Sequence, residues 1–393
     1  MIEKQARKKI CIVTATRAEY GLLKPIIKKL IANHEFDVQV VATGMHLSPE
    51  FGLTYQEIEE DGISIDRKIE MLLSSDSPAS ISKSMGLAMI GFADYFEEAR
   101  PDLLILLGDR YEILAVASTA MNARIPIAHL YGGDITEGAI DDVVRHAITK
   151  MSYLHFVATT NHEKRVIQMG EEPGRVFCVG AMSVENAKNV QLLSKEELKR
   201  QIGFDWGDNK LAVVTFHPVT LECNTAEEQC RNLLEALDRI QHLNIIFTKA
   251  NSDTDGRIIN QMLEDYVSNH KEKSCIFASL GQLRYLSAIS TADVVVGNSS
   301  SGLSEVPSFH VPTVNVGDRQ KGRESGKTVI HCDTNTKSIV DAISKALSDQ
   351  FRDEISHAAN PYEKEGTSDT IVDRITKFIK QDNIDLKKKF FNL

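Results

Sequence analysis

The chain has 393 residues, enough for two or three domains, and its hydrophobic and charged shares of 42% and 25% are close to those of ordinary soluble proteins. The formal net charge of -10 argues against a general binder of nucleic acid or other polyanions. The apolar run 10–13 is too short for a signal peptide, and no later stretch reaches membrane length without a charge. We therefore expect a cytoplasmic protein that binds neither nucleic acid nor membrane.

Strand-like and helix-like segments alternate through most of the first half of the chain. A compact apolar run at 8–14 predicts a strand covered on both faces, and a helix at 20–33 and a strand at 36–42 are predicted to follow it. The alternation resumes further on and predicts strands at 103–107, 125–130, 154–158 and 175–179, with helices at 111–123, 140–151 and 161–169. This order is typical of parallel strands joined by helices.

A second series of the same kind begins near residue 210. Its predicted strands are 211–216, 244–248, 274–278, 293–296 and a final one at 313–316, and its predicted helices are 225–240, 257–268 and 281–290. A polar, basic stretch at about 181–210 is the predicted link between the halves. We therefore predict an α/β fold of two Rossmann-like doubly wound domains that face a cleft, 1–185 and 186–367.

Acidic side chains collect where two strands of the first half end. They are Asp109, Glu112, Asp134, Glu137, Asp141 and Asp142. Ligands of doubly wound sheets bind at the carboxyl ends of the strands, and proton transfer requires carboxylates or histidines in a dry cleft. Asp109 and Asp134 are expected to lie close together if their strands are neighbours. For each acid, a helix cap is the alternative to catalysis.

Polar residues that suit a phosphate follow several strands. Arg17 lies in the first strand-to-helix turn, and His217 follows a strand of the second half as an acid–base or diphosphate-binding candidate. The turn 297–302, Gly-Asn-Ser-Ser-Ser-Gly, allows the backbone to approach a phosphate. Glu305 beyond it is a ribose ligand or a helix-start acid, and Arg319 suits a diphosphate through its bidentate guanidinium.

The sequence lacks the signatures of common cofactors. The first turn, 15–21, has no Gly-x-Gly-x-x-Gly, so we expect no dinucleotide. The six cysteines form no Cys-x-x-Cys pair and the histidines form no His-Glu-x-x-His, so we expect no metal. Cys11 and Cys178 lie in predicted strands, where a reduced thiol packs as a small hydrophobe.

Seven strings, in order from residue 14 to about 323, resemble the hydrolysing UDP-N-acetylglucosamine 2-epimerases of sialic-acid and related nonulosonic-acid pathways. They read T-x-x-R-A-E-Y-G, T-G-M-H-L, L-G-D-R-Y-E-I, D-D-x-x-R-H-A-I-T-K-M-S, F-H-P-V-T, G-N-S-S-S-G-L-x-E and G-D-R-Q-K-G-R. The resemblance implies a GT-B-like fold, with UDP bound mainly by the second domain and a C-terminal helix, within about 368–393, packed back on the first domain.

The resemblance also implies a reaction. UDP-N-acetylglucosamine and water give UDP and N-acetylmannosamine, because UDP leaves by elimination across C1–C2 and water then adds to the resulting glycal. We expect this reaction to need no cofactor. We expect the protein to bind the UDP-sugar as its substrate and to form a homo-oligomer, either a dimer or a tetramer.

Roles for single residues follow from the same resemblance. Asp109, Asp141 and an acid of the region between 134 and 141 transfer protons, and His217 is a further catalytic candidate. The nucleotide is held by His217, Asn251, Ser299, Ser300, Glu305, Arg319, Arg17 and Arg110.

One position departs from the pattern of the family. Some relatives read His-Ile-Glu-Gly-Gly-Glu where this chain reads His-Leu-Tyr-Gly-Gly-Asp at 129–134. Tyr131 cannot replace a carboxylate as a base near neutral pH, because the ordinary pKa of tyrosine is about 10. The second acid is therefore Asp134 or Glu137.

Several alternatives stay open. The same reaction on UDP-2,4-diacetamido-2,4,6-trideoxyglucose (UDP-N,N'-diacetylbacillosamine) is one, and a GT-B glycosyltransferase is the main rival enzyme. A non-hydrolysing epimerase and a non-catalytic nucleotide-sugar sensor are two more. The cluster of acids between 109 and 142 favours proton transfer over glycosyl transfer or sensing.

Overall fold

The computed structural model describes residues 7–75, 77–137, 140–219, 225–250, 256–381 and 384–393. The chain divides into two compact units. The first unit comprises 1–134, 140–185 and 364–393, and the second comprises 135–139 and 186–363. Asp134 therefore belongs to the first unit, whereas Glu137 belongs to the second.

The first unit is built on a parallel sheet. Within the described residues its strands are β1 (Lys8–Thr14), β2 (Phe36–Thr43), β3 (Arg67–Ile69), β4 (Leu103–Leu107), β5 (Ile127–Leu130), β6 (Leu154–Val157) and β7 (Val176–Cys178). Their order is β3-β2-β1-β4-β5-β6-β7. The helices that connect and follow these strands are α1 (Arg17–Ala32), α2 (Tyr55–Glu60), α3 (Pro78–Ala99), α4 (Tyr111–Asn122), α5 (Ile140–Met151), α6 (Thr160–Gln168) and α7 (Met182–Asn189).

The second unit repeats this plan. In the part of it that the structure describes, the parallel strands are β8 (Lys210–Thr215), β9 (Leu243–Thr248), β10 (Ser274–Phe277), β11 (Val294–Gly297), β12 (Thr313–Val316) and β13 (Val329–Cys332), in the order β10-β9-β8-β11-β12-β13. Its helices are α8 (Lys195–Ile202), α9 (Ala226–Asp238), α10 (Gly256–Asn269), α11 (Gly281–Thr291), α12 (Ser301–Ser304), α13 (Thr336–Ala346) and α14 (Asp349–Ile355). The chain then returns to the first unit as α15 (Thr367–Ile379).

Successive side chains of the central strands point to opposite faces of the sheet, and this explains how each sheet is covered on both faces. In β1, Ile10 and Ile12 lie in one hydrophobic cluster, whereas Cys11 and Val13 lie in another. Because successive side chains of a strand point to opposite faces, a continuous apolar run supplies both clusters. The predicted α/β class with two doubly wound sheets is confirmed.

Several of the elements that sequence patterns missed are short. The prediction that 313–316 is the final strand is wrong, because Val329–Cys332 pairs in parallel with β12 as the edge strand β13. An edge strand of four residues gives too short a pattern to identify. The stretch 181–210, predicted as a polar link, contains α7 and α8.

Candidate active site

The two acids predicted to follow neighbouring strands do so. β4 and β5 are adjacent, with Leu107 opposite Leu130, so Asp109 and Asp134 lie at the same edge of the sheet. The strand order of the first unit reverses next to them, between β1 and β4. In doubly wound sheets such a switch point is the usual place for a ligand.

A buried arginine that sequence reasoning did not single out connects these acids. Arg145, on α5, has a side chain only 2% exposed. Its Nε and Nη2 donate to Oδ2 of Asp109 at 2.9 and 2.5 Å. Its Nη1 donates to the backbone oxygen of Asp134 at 2.9 Å and to Oδ1 of Asp142 at 3.2 Å. The direction of the Asp109 carboxylate is therefore set by a charged, buried partner.

The remaining acids of this region differ in position. Asp141 is exposed on the first turn of α5, and partial desolvation together with the Asp109 carboxylate raises its pKa. Asp134 has its Oδ1 at 3.3 Å from Nε2 of the buried His162. Glu137 is exposed and belongs to the second unit. The first unit thus brings Asp109, Asp134 and Asp141 together and does not include Glu137.

Two residues of the stretch 129–134 support the backbone near these acids. Nε2 of the buried His129 donates to the carbonyl oxygen of Gly108 at 2.8 Å, because a carbonyl oxygen can only accept. Burial lowers the pKa of His129 to about 3, so the ring is neutral. Tyr131 has a positive φ of 68°, and its hydroxyl accepts a hydrogen bond from the backbone N–H of Ser183 at 3.2 Å. Both side chains hold backbone groups in place.

The two arginines assigned to the nucleotide lie next to the same switch point. Arg110 is the N-cap residue of α4, and its Nε and Nη2 each donate at 3.3 Å to the buried carboxylate of Glu112. Because Arg110 holds the N-cap position, the helix-cap alternative for Asp109 is wrong. Arg17 is the first residue of α1; its side chain is 55% exposed and its Nε lies 3.3 Å from Oε1 of Glu57.

Glu19 is a buried carboxyl that sequence reasoning did not single out, although Thr-x-x-Glu is the signal of a capping box. Its Oε2 accepts from the backbone N–H groups of Ala15 at 2.8 Å and Thr16 at 3.3 Å. Burial raises the pKa of Glu19 to about 7, against the lowering effect of the Ala15 N–H. This carboxyl fixes the turn that carries Arg17.

In the second unit, the candidate phosphate ligands follow three adjacent strands. His217 comes after β8 and is buried, and burial and the Arg319 guanidinium lower its pKa to about 4. Arg319 comes after β12, and its Nη1 donates to the backbone oxygen of Asn298 at 3.1 Å. The switch point of this sheet lies between β8 and β11. A neutral histidine beside an arginine at such a point suits an anionic ligand.

The serine turn after β11 leads into α12 without a side-chain cap hydrogen bond. Ser300 is the exposed N-cap residue of α12, and Ser299 is half-buried. Glu305 is both the C-cap residue of α12 and the N-cap residue of the 3-10 helix Val306–Phe309, which fits the helix-start alternative. Its side chain makes no cap hydrogen bond, and its Oε2 accepts from Oγ of Ser304 at 2.5 Å. Asn251, also assigned to the nucleotide, lies outside the described residues.

Among the described residues, no three His, Cys, Asp or Glu side chains come together as metal ligands would. No helix in the described part of the chain is long and apolar enough to cross a bilayer. The predicted strand positions of Cys11 and Cys178 are confirmed, in β1 and β7.

The fold is that of known nucleotide-sugar enzymes. A crystal structure of a UDP-GlcNAc 2-epimerase from Neisseria meningitidis bound to UDP-GlcNAc superposes with a TM-score of 0.79 at 17% identity, covering 94% of this chain and 100% of that one. This likeness defines a GT-B-like protein.

Sequence comparisons are more specific. The family profile described as UDP-N-acetylglucosamine 2-epimerase matches residues 28–376, so the chain belongs to that family. It is 42% identical over 388 residues to the "GDP/UDP-N,N'-diacetylbacillosamine 2-epimerase (hydrolyzing)" of Campylobacter jejuni, covering 99% of this chain and 100% of that protein. It is 37% identical to "Polysialic acid biosynthesis protein P7" of Escherichia coli, covering 97% and 96%. It is 36% identical to the "UDP-N,N'-diacetylbacillosamine 2-epimerase (hydrolyzing)" of Legionella pneumophila, covering 86% and 89%.

Proposed function

We propose that the chain is a hydrolysing 2-epimerase whose substrate is UDP-2,4-diacetamido-2,4,6-trideoxyglucose. The products are UDP and the free sugar inverted at C2, 2,4-diacetamido-2,4,6-trideoxymannose. The observation that carries this proposal is the 42% identity, over almost the whole of both chains, to a relative named for that sugar. The comparisons therefore favour the alternative substrate over UDP-N-acetylglucosamine, which was the first interpretation of the sequence.

The proposed reaction has two steps. A carboxylate removes the proton from C2 while the C1–O bond breaks, and UDP leaves with the electron pair to give a C1=C2 glycal. The oxygen of water then adds to C1, and a proton is delivered to C2 from the opposite face. The sum is UDP-sugar plus water going to UDP plus the C2-inverted free sugar.

We assign the proton transfers to three carboxyl groups of the first unit, Asp109, Asp134 and Asp141. A carboxylate fixed in direction, as Asp109 is by Arg145, suits proton abstraction from carbon. At Asp141, partial desolvation and the Asp109 carboxylate raise the pKa, which favours its assignment as the acid of the pair. Asp134 is preferred over Glu137 as the further acid, since Asp134 belongs to the same unit as Asp109 and Asp141, whereas Glu137 belongs to the other.

The nucleotide-binding roles are proposed for the loops of the second unit. Arg319 and the neutral His217 supply hydrogen bonds and charge for the diphosphate, and the backbone at Ser299 and Ser300 allows close approach. Glu305, at the C-terminal end of α12, is proposed to accept hydrogen bonds from the ribose hydroxyls. Asn251, together with Arg17 and Arg110 of the first unit, completes the proposed set.

UDP-N-acetylglucosamine is the second candidate substrate, because the matching family profile carries its name. To separate the candidates, each UDP-sugar is incubated alone with the protein, and ¹H and ³¹P NMR identify the products. We expect UDP and free C2-inverted sugar from both, with a higher kcat/KM for the diacetamido substrate. A higher kcat/KM for UDP-N-acetylglucosamine overturns the substrate assignment.

The same incubation tests the reaction itself. In D₂O the free sugar should carry one deuterium at C2, and in H₂¹⁸O it should carry the label at C1. A UDP-linked product indicates a non-hydrolysing epimerase. Intact substrate in the absence of an acceptor sugar indicates a glycosyltransferase or a sensor. Turnover should survive exhaustive chelation, and restoration of lost activity by one divalent ion contradicts a metal-free reaction.

We also propose a cytoplasmic homo-oligomer. Five cysteines of the described residues are free thiols, which suits a reducing compartment. Large apolar side chains such as Ile90 and Val143 are 65% and 71% exposed, which suits contact with a second copy. Analytical ultracentrifugation tests the oligomer, and a monomer at micromolar concentration contradicts it.

A further inference from the structure

Asn298 is a buried asparagine in the second unit to which no role has been given so far. It follows β11, the strand that lies between β8 and β12. The preceding Gly297 has a φ of +134°, and a Cβ at that residue would overlap the carbonyl oxygen of Thr215 at the end of β8. Only glycine permits this approach, which brings Asn298 against the residues that continue β8.

The side chain of Asn298 continues the hydrogen bonding of the sheet by one residue. Its Oδ1 accepts from the backbone N–H of His217 at 2.7 Å, and its Nδ2 donates to the backbone oxygen of His217 at 2.8 Å. The amide therefore satisfies both backbone groups of a buried histidine. Aspartate has no donor for the carbonyl, and leucine has neither a donor nor an acceptor.

The backbone of Asn298 makes the second connection. Its carbonyl oxygen accepts from Nη1 of Arg319 at 3.1 Å and from Nε2 of Gln320 at 2.9 Å. One fully buried residue is thus bonded to the groups that follow β8 and to those that follow β12.

We propose that Asn298 is a positioning residue, which sets His217 and Arg319 relative to each other and so forms the diphosphate site before the nucleotide arrives. The inference rests on the proposed function, because that function makes these two residues ligands of UDP. Asn298 acts through them and is not itself a nucleotide ligand. Groups held in place before binding lose less freedom on binding, so the arrangement increases UDP affinity.

A double-mutant cycle tests this proposal. The dissociation constant of UDP is measured by calorimetry for the wild type, Asn298→Ala, His217→Ala and the double variant. Alanine keeps the backbone carbonyl that holds Arg319 and removes the amide that holds His217. If Asn298 acts through His217, Asn298→Ala weakens binding about tenfold in the wild type and less than about twofold in His217→Ala, a coupling within the range for contacting residues. Additive effects overturn the proposal, as does an unchanged dissociation constant for Asn298→Ala.

A matched control separates positioning from general damage to the sheet. Asn244 is another buried amide of the second unit, near the amino end of β9, where it accepts from Asn209 at 2.8 Å. Asn244→Ala should lower thermal stability and leave the UDP dissociation constant of the folded protein unchanged. If it weakens UDP binding as much as Asn298→Ala does, the effect is structural and the proposal is wrong. If Asn298→Ala does not fold, Asn298→Ser takes its place in the same cycle.

NMR of His217 provides a readout that does not require UDP. Burial and Arg319 lower the pKa of this histidine to about 4. Release of its backbone in Asn298→Ala should raise the pKa toward the ordinary value of about 6.5, and Asn244→Ala should leave it unchanged. If the wild type does not bind UDP, the proposed function fails and this titration alone decides the positioning role. If the wild type binds UDP but the cycle is additive, only the present inference fails.

Discussion

Replacement of Asp109 by asparagine tests the proposed chemistry most directly. Asparagine has nearly the same size, but it cannot accept a proton from carbon. The Asp109 carboxylate is 27% exposed, and its Oδ2 receives both Nε and Nη2 of Arg145. We expect turnover to fall by about 10²–10⁴-fold, the usual contribution of a general acid or base. UDP binding should stay close to that of the wild type.

The cost in stability can be derived from the same contacts. Both N–H groups of Arg145 reach one oxygen of Asp109, and the amide oxygen of asparagine can still accept them. Loss of the negative charge weakens each of these two bonds by about 1–1.5 kcal/mol, the difference between a hydrogen bond to a charged group and a neutral one, so the expected loss is about 2–3 kcal/mol. Arg145 also keeps its bonds to Asp134 and Asp142. For a unit of this size, Tm should fall by about 2–4 °C per kcal/mol.

The assay compares kcat, the UDP dissociation constant and Tm with those of Asp142→Asn. This control removes a different carboxylate from the same buried Arg145, at 3.2 Å. It should lower Tm by a similar or smaller amount and leave most of the turnover. Turnover of Asp109→Asn within about threefold of the wild type, far outside the range for acid–base groups, would remove Asp109 from the mechanism. If Asp142→Asn loses as much turnover as Asp109→Asn does, the loss is not specific to Asp109, and the proton-transfer role of Asp109 is refuted.

Three further predictions concern binding and stability. Arg319→Ala should weaken UDP binding by about 10–150-fold, the equivalent of 1.5–3 kcal/mol for a charged hydrogen bond; calorimetry measures it, and an unchanged dissociation constant contradicts it. Burial lowers the pKa of His46 to about 4 in the folded chain, against about 6.5 when unfolded. The contribution of the neutral His46 ring to the free energy of unfolding is therefore complete above about pH 6.5. It is lost as the pH falls toward 4, by at most about 1.4 kcal/mol per pH unit. Urea titrations measure how far the free energy of unfolding falls between pH 7 and pH 5, and this fall should be smaller in His46→Gln than in the wild type. An equal fall in both proteins would show that protonation of His46 is not its cause. Gly297→Ala should prevent folding of the second unit, because its Cβ would overlap the Thr215 carbonyl. Gly21→Ala, in a helix with nothing within 4 Å of the added Cβ, should instead stabilise by about 0.5–1 kcal/mol; circular dichroism and urea titration separate these two outcomes.

The sequence predicted the elements whose apolar pattern is long and regular. The run Leu-Leu-Ile-Leu-Leu at 103–107 is a strand with those limits, because all five residues are buried between two layers of helices. The strand β3, Arg-Lys-Ile, was missed because two of its three residues are exposed at the edge of the sheet. The helix α3 was missed although it has 22 residues, since serine, alanine and glycine weaken its helical periodicity.

The candidate site was predictable only where position in the sequence implies position in the sheet. Asp109 and Asp134 follow apolar strands, and such residues meet at one edge of a parallel sheet. Arg145 and Asn298 could not be recognised in this way. An arginine on a helix usually indicates a solvated face and an asparagine in a turn usually indicates a cap, whereas here tertiary packing buries both.

The first unit completes its core with a helix from the far end of the chain. Ile371, Ile375 and Phe378 of α15 lie in the same hydrophobic cluster as Ile12 of β1. Roughly 190 residues separate β7 from α15. At about 5–20 residues per second, the ribosome needs roughly 10–40 s to synthesise them. The nascent first unit therefore exposes part of its apolar surface throughout that interval, and the second unit is completed first. The N-terminal sheet is thus synthesised first and covered last, so part of its apolar surface waits for the end of the chain.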